Sequence, residues 1–165
     1  NSKINLIDNP LLPGKLGSRH FDSEGVKAKP LVLIENGILK NFMLSTYSAN
    51  KLGMTSTGHS GGISNLILKP DNYDEEELIA SVKNGLYLTY MSGQGANILT
   101  GDFSRGAQGI WIRDGKLAEP VNEFTIASTF PEMLKNIKMI GNNIDNRSSI
   151  LTPSIKIDKM AVSGI

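Results

Sequence analysis

The stretch from Gly93 to Gly109, GQGANILTGDFSRGAQG, threads five glycines among Gln94, Asn97, Thr100, Asp102, Ser104, Arg105 and Gln108. A segment with so little apolar mass cannot hold itself in a core and must be placed by its neighbours. Glycine adopts positive φ and tolerates the close approach of another main chain. Turns and bulges between strands are therefore one reading, and a loop that shapes a binding cleft is the other. Arg105 admits a similar pair of readings: a salt bridge that pins the loop, or a guanidinium that takes a peptide or partner carboxylate through two parallel bonds. Gln94, Asn97 and Thr100 can satisfy an extended backbone, which suits a strand-like peptide.

Around this stretch the local signals are mostly those of strands. LVLIENGILKNFMLS carries Asn36-Gly37, a dipeptide that accepts positive φ at both centres of a type I′ turn, and predicts a β-hairpin. GIWIRDGKLAEPV predicts a second, with Asp114-Gly115 at the turn and Ile110, Ile112 and Leu117 available for one buried face. Further strands are expected at Ile4 to Ile7, Asn65 to Leu68, Leu86 to Met91, Glu123 to Ile126, Met139 to Gly141, Ile155 to Ile157 and Met160 to Val162. Tyr87 and Tyr90, three apart in such a strand, are expected on opposite faces. Asp74 to Asn84 reads as a helix opened by an Asp74/Glu77 capping box and ended by Gly85, and Phe130 to Lys138 as a second with Pro131 in its first turn. Thr46 to Leu52 is a third candidate. Strands outnumber helices and no regular βαβ alternation occurs, so the fold class is α+β: a large mixed or mostly antiparallel β-sheet with β-hairpins and two or three short helices.

Composition limits the chemistry. The 165 residues suffice for one domain with its own core, and 17 basic against 16 acidic residues leave a net charge of +1, too balanced to recommend a nucleic-acid partner. No apolar run approaches the ~20 residues of a spanning helix, so no membrane partner is expected. With no cysteine and only His20 and His59, the chain offers neither thiolate chemistry nor a three-ligand zinc set. His20 lies near Asp22 and Glu24, where a turn histidine and a carboxylate-assisted site are the two readings. His59, within TGHSGG, is either a loop residue bonded to backbone or a cleft contact. There is no GxSxG elbow and no P-loop lysine, which argues against acyl transfer and phosphate cradling.

Several separate stretches, in order, resemble one family. These are LPGKLGSRHFDSEG (Leu12 to Gly25), VLIENGILKNFML (Val32 to Leu44), TYSANKLGMTSTGHSGG (Thr46 to Gly62), the Gly93 to Gly109 stretch, and GNNIDNRSSILTPSIKI (Gly141 to Ile157). Together they resemble the C-terminal region of the TldD/PmbA proteins, once labelled modulators of DNA gyrase, and look most like the PmbA (TldE) branch. The resemblance implies that residues 1–165 are a single domain of a longer protein whose N-terminal α/β domain lies outside this sequence. TldD-type chains carry an upstream histidine-glutamate-histidine motif and a late cysteine that together hold zinc. The late stretch here, Asn146 to Ser154, has no cysteine.

The resemblance therefore implies a metal-free subunit without cofactor, with zinc in a TldD-like partner and this chain inactive alone. The assembly, a heterodimer or higher, would cleave unfolded peptides in the bacterial cytoplasm. A homo-oligomer is the other arrangement expected. The alternative is the substrate-binding domain of a hydrolase whose catalytic residues lie in the missing N-terminal region, where a HExxxH motif would mark it. The residues expected to meet substrate or partner are Thr57, Gly58, His59, Gly61, Gly62, Gln94, Gly95, Asn97, Thr100, Gly101, Asp102 and Arg105, with the two loops expected to form one cleft wall.

Overall fold

The computed structural model describes residues 1–164, and the chain divides into two compact units. The first comprises Asn1–Pro70 and Asn143–Pro153. Its five-stranded sheet is ordered β3-β2-β1-β4-β9, from β1 (Leu6–Asp8), β2 (Leu31–Glu35), β3 (Ile38–Leu39), β4 (Leu66–Leu68) and β9 (Ile150–Leu151). β1 pairs antiparallel with both β2 and β4, whereas β9 joins β4 in parallel. The expected hairpin forms between β2 and β3, with φ of 51° at Asn36 and 76° at Gly37, as the primed turn demands. Ser45 caps helix α1 (Thr46–Lys51) by accepting from the Ser48 amide. Leu31, Leu33, Leu44, Ala49, Leu68 and Leu151 are among the buried apolar residues of this unit.

The second unit comprises Asp71–Asn142 and the stretch from Ser154 onward. Its four-stranded antiparallel sheet runs β11-β7-β6-β5, built from β5 (Asn84–Ser92), β6 (Asp102–Arg113), β7 (Lys116–Thr129) and β11 (Ala161–Ser163). β8 (Ile137–Ile140) and β10 (Ile155–Ile157) form a separate antiparallel pair. Phe103, Ala107, Phe124 and Ile126 make a buried cluster, against which Phe130 sets its ring edge-on to Phe103 at 6.0 Å between centroids.

Both helices of this unit are shorter than their sequence periodicity predicts. α2 (Glu75–Ala80) has the Asp74/Glu77 capping box but stops before Asn84. The Val82 and Lys83 carbonyls accept from Gly115 and Asp114 of the β6–β7 turn, and Asn84 opens β5 opposite Arg113, so the sheet takes these residues from the helix. Gly85 accordingly lies in a strand instead of ending a helix. α3 (Phe130–Lys135), capped by Thr129 with Pro131 in its first turn, yields to β8 before Lys138.

One further difference comes from a bulge, which resets the two-residue parity of a strand. Tyr87 pairs with Ile110 and Tyr90 with Gln108 across a shift at Thr89, so both tyrosines lie on the same side of the sheet. Of the three residues expected on one buried face, Ile112 is buried, Ile110 is intermediate and Leu117, directly opposite Ile112 near the turn, is exposed. The stability of this sheet is concentrated in its aromatic cluster. Phe124→Ala is expected to lower unfolding free energy in urea by about 3–5 kcal/mol. Leu99→Ala, on a side chain 93% exposed, should stay within about 0.5 kcal/mol.

Candidate functional site

The Thr57–Gly62 loop is built around a buried hydrogen-bonded histidine–aspartate pair that sequence spacing does not reveal. Asp8 ends the central strand β1 of the first unit, and its side chain and that of His59 are both fully removed from solvent. His59 Nδ1 lies 2.8 Å from the Thr57 carbonyl and Nε2 lies 3.1 Å from Asp8 Oδ2. A carbonyl only accepts, so Nδ1 carries a hydrogen, and a further proton is held between Nε2 and the carboxylate. The Ser64 amide donates to Asp8 Oδ1 at 2.9 Å, and the Ser64 hydroxyl donates to Oδ2. Every oxygen and ring nitrogen of the pair is thereby engaged. Removing one partner leaves the other a buried polar group without its bond, which typically costs about 1–3 kcal/mol.

A second carboxylate anchors the outer part of the same loop. Asp22 accepts from the amides of Glu24, Val26 and Ser60, each at 2.9 Å, and Arg19 Nη2 donates to the Gly62 carbonyl at 2.6 Å. Glu24 in turn accepts from the amide and hydroxyl of Thr46. Desolvation pushes the Asp22 carboxyl up. The three amides and the Arg19 charge outweigh it and hold the group below the ordinary carboxylate range. His20 is exposed, and its neighbours Asp22 and Glu24 have their carboxylates turned to backbone and Thr46.

Thr57 bonds the Leu44 amide through its hydroxyl at 2.8 Å, and Gly58 is buried at a φ of 74°, where a Cβ would run into the Lys27 carbonyl. Gly61 and Gly62 are exposed, both at positive φ. The part of this loop open to a ligand is therefore glycine backbone, whereas the histidine is its internal support.

The other expected stretch, in the second unit, is only half a loop. Asp102 to Gly109 lies in β6, and the connection proper is Gly93 to Gly101. It is tightly ordered: Asn97 Oδ1 accepts from Leu99 and Thr100, the Thr100 hydroxyl bonds Asp102 at 2.6 Å, and the Gly101 amide donates to the Asn97 carbonyl at 2.8 Å. Arg105 bonds the Met91 and Ser92 carbonyls at the end of β5, both at 3.3 Å, instead of a carboxylate. At Gly95 a Cβ would overlap the Ser104 carbonyl, so larger residues there would disturb the loop itself before any partner. Gln94 is exposed. The two stretches fall in different units.

Among the described residues no group of three histidines, aspartates or glutamates is placed to hold a metal ion. With both His59 nitrogens engaged, the donor set does not fit zinc. Among the described residues no helix is long and apolar enough to cross a membrane.

The lowered Asp22 carboxyl has a defined consequence for pH. A carboxyl held down by folding adds stability that is complete above its unfolded value and is lost as pH falls through its folded value. Asp22→Asn should therefore flatten the loss of thermal stability below about pH 4 while lowering the plateau near neutrality. Parallel acid slopes in the two proteins would contradict this.

The comparisons with known proteins agree with the fold. Residues 1–164 match the family model described as the PmbA/TldA metallopeptidase C-terminal domain. A metalloprotease PmbA homolog from Haemophilus influenzae is 45% identical over 162 residues, covering 98% of this chain and 36% of that protein. A crystal structure from Thermotoga maritima, named as a candidate modulator of a DNA gyrase, superposes with a TM-score of 0.92 at 34% identity, covering 99% of this chain and 40% of that one. TldE from Thermococcus kodakarensis superposes with a TM-score of 0.87 at 27% identity over the same shares. The chain thus spans little more than a third of the length of its PmbA relative. It belongs to the PmbA/TldD metallopeptidase family, on the PmbA/TldE-like branch, and corresponds to the family's C-terminal domain.

Proposed function

We propose that this domain is the metal-free part of a PmbA/TldE-like subunit that assembles with a TldD-like zinc metallopeptidase and helps form the peptide-binding cleft for proteolysis of unfolded peptides. The observation that carries the reading is the closed state of His59. In a family of named metalloproteases, this buried histidine has both nitrogens committed to Thr57 and Asp8, and the chain has no cysteine to complete a ligand set. Water activation would then come from the partner. This domain would supply shaped backbone: the exposed Gly61-Gly62 pair, and the ordered Gly93–Gly101 connection, whose Gln94 remains available for extended peptide. Gyrase contact has no support in the balanced surface charge.

A second reading, in which the full-length parent is itself a hydrolase with catalytic groups preceding this region, is favoured by the relative's own name, metalloprotease. Expressing the full-length parent and a TldD-like subunit singly and together separates the two. The first reading expects an unfolded peptide to be cleaved only by the mixture, with zinc in elemental analysis following the TldD-like subunit. Cleavage by the parent alone, with one tightly held zinc per chain, would establish the second.

A further inference from the structure

Asn36-Gly37 and Asn84-Gly85 are the asparagine–glycine steps of the chain. Such a step is where a polypeptide most readily modifies itself, because glycine has no side chain to hinder attack by its own amide nitrogen on the preceding carboxamide carbon. The new nitrogen–carbon bond closes a five-membered imide, the glycine amide gives up its proton, and ammonia leaves. Water then opens the imide at one carbonyl or the other, giving aspartate or isoaspartate, the latter with one more methylene in the main chain. Asn36 is exposed at the tip of the β2–β3 hairpin, and its carboxamide makes no hydrogen bond among the described residues. Both backbone nitrogens of the turn are instead occupied by the segment that leads into β1. The Gly37 amide donates to the Ile4 carbonyl at 2.9 Å, and the Asn36 amide donates to Asn5 Oδ1 at 2.9 Å. That segment is itself fixed: Ile4 is buried, its amide donates to the Asn1 carbonyl, and the Asn5 carbonyl accepts from the Lys69 amide. The Asn1 carbonyl lies so close to Gly37 that a Cβ there would overlap it.

We infer that Asn36 is a spontaneous deamidation site held shut by the Asn1–Asn5 segment, and that it converts only in molecules whose segment has lifted off the turn. The attacking nitrogen must shed the very proton it donates to Ile4. The imide that forms carries no N–H, so the Ile4 bond cannot survive its closure. Opening of the segment therefore precedes reaction, even though the carboxamide itself stands in water. Asn84 lies in β5 opposite Arg113, outside this clasp. Conversion at Asn36 is one-way. The added methylene of isoaspartate lengthens a two-residue turn whose geometry sets the pairing of Ile34 with Leu39 and of Glu35 with Ile38. The product cannot restore the clasp and the register together, so each converted molecule is a permanent record of one opening. This inference rests on the hairpin and its cover alone and does not depend on the catalytic assembly proposed above.

Peptide mapping by mass spectrometry, on the 165-residue chain incubated at mildly alkaline pH both folded and in urea, tests the inference. Asn36 should convert at least about tenfold more slowly in the folded chain, since reaction waits on local opening. Asn5→Ala removes one bond of the clasp and should speed conversion at Asn36 by about threefold or more, with Asn84 unchanged. Asn5→Asp keeps an acceptor oxygen and should stay near the rate of the unaltered chain. Hydrogen exchange gives an independent readout, because the Gly37 amide needs the same opening and should quicken in Asn5→Ala by the same ratio. Equal rates at Asn36 in the folded and urea-unfolded chain overturn the inference, as does an Asn5→Ala variant whose Asn36 rate is unchanged. Acceleration shared equally by Asn84 marks general unfolding and also overturns it. If Asn5→Ala fails to fold, the unaltered chain still decides: a Gly37 amide exchanging as fast as an unstructured one would contradict a closed clasp.

Discussion

Burial of the Asp8 carboxylate fixes the geometry of the candidate loop in the first unit. It lies at the end of the central strand, out of water, and a charge in that position persists only if its oxygens are met by donors. The donors are Ser64 at the entry to β4 and His59 in the middle of the Thr57–Gly62 loop. One side chain thereby ties two neighbouring strands and a glycine-rich loop together. Asp22 repeats the device further out with three backbone amides. The loop is consequently preorganised without apolar packing of its own, which fits a surface whose backbone must meet something else.

The same arrangement determines what chemistry the domain can supply. A histidine flanked by glycines in an otherwise histidine-poor chain is the natural candidate for a ligand or base. Buried and bonded at both nitrogens, it is instead a fixed support, and the exposed chemistry around it is main chain. The proposed role, in which the domain shapes a cleft and another polypeptide activates water, builds on that division.

Much of the fold was legible in the sequence because short-range rules controlled it. Asn36-Gly37 and Asp114-Gly115 set their hairpin turns, and Asp74, Thr129 and Pro131 set their helix starts. Where elements ended was less legible: Val82 and Lys83 have helical spacing, yet strand pairing and the Gly115 turn claim their carbonyls. Glycine density misled in a second way. Its glycines make Asp102 to Gly109 read as part of the loop, but the stretch forms most of β6, paired with β7. At Gly109 a side chain would meet the Tyr87 carbonyl, so its bareness reflects close strand approach. The site was least legible, since Asp8 and Ser64 flank His59 at distances of 51 and 5 residues and form no motif. The weak signal was a lone aspartate closing an apolar strand, LID, where a carboxylate has no reason to be buried unless it is bonded.

The most direct test of this account is nitrogen-15 NMR of the His59 imidazole in the folded chain, with excess zinc as the challenge. A closed pair predicts an Nδ1–H resonance in slow exchange with water, a hydrogen bond from the ring to Asp8, and no change when zinc is added. A rapidly exchanging ring whose nitrogen shifts move with zinc would contradict the account, and would make His59 an available ligand instead of a support.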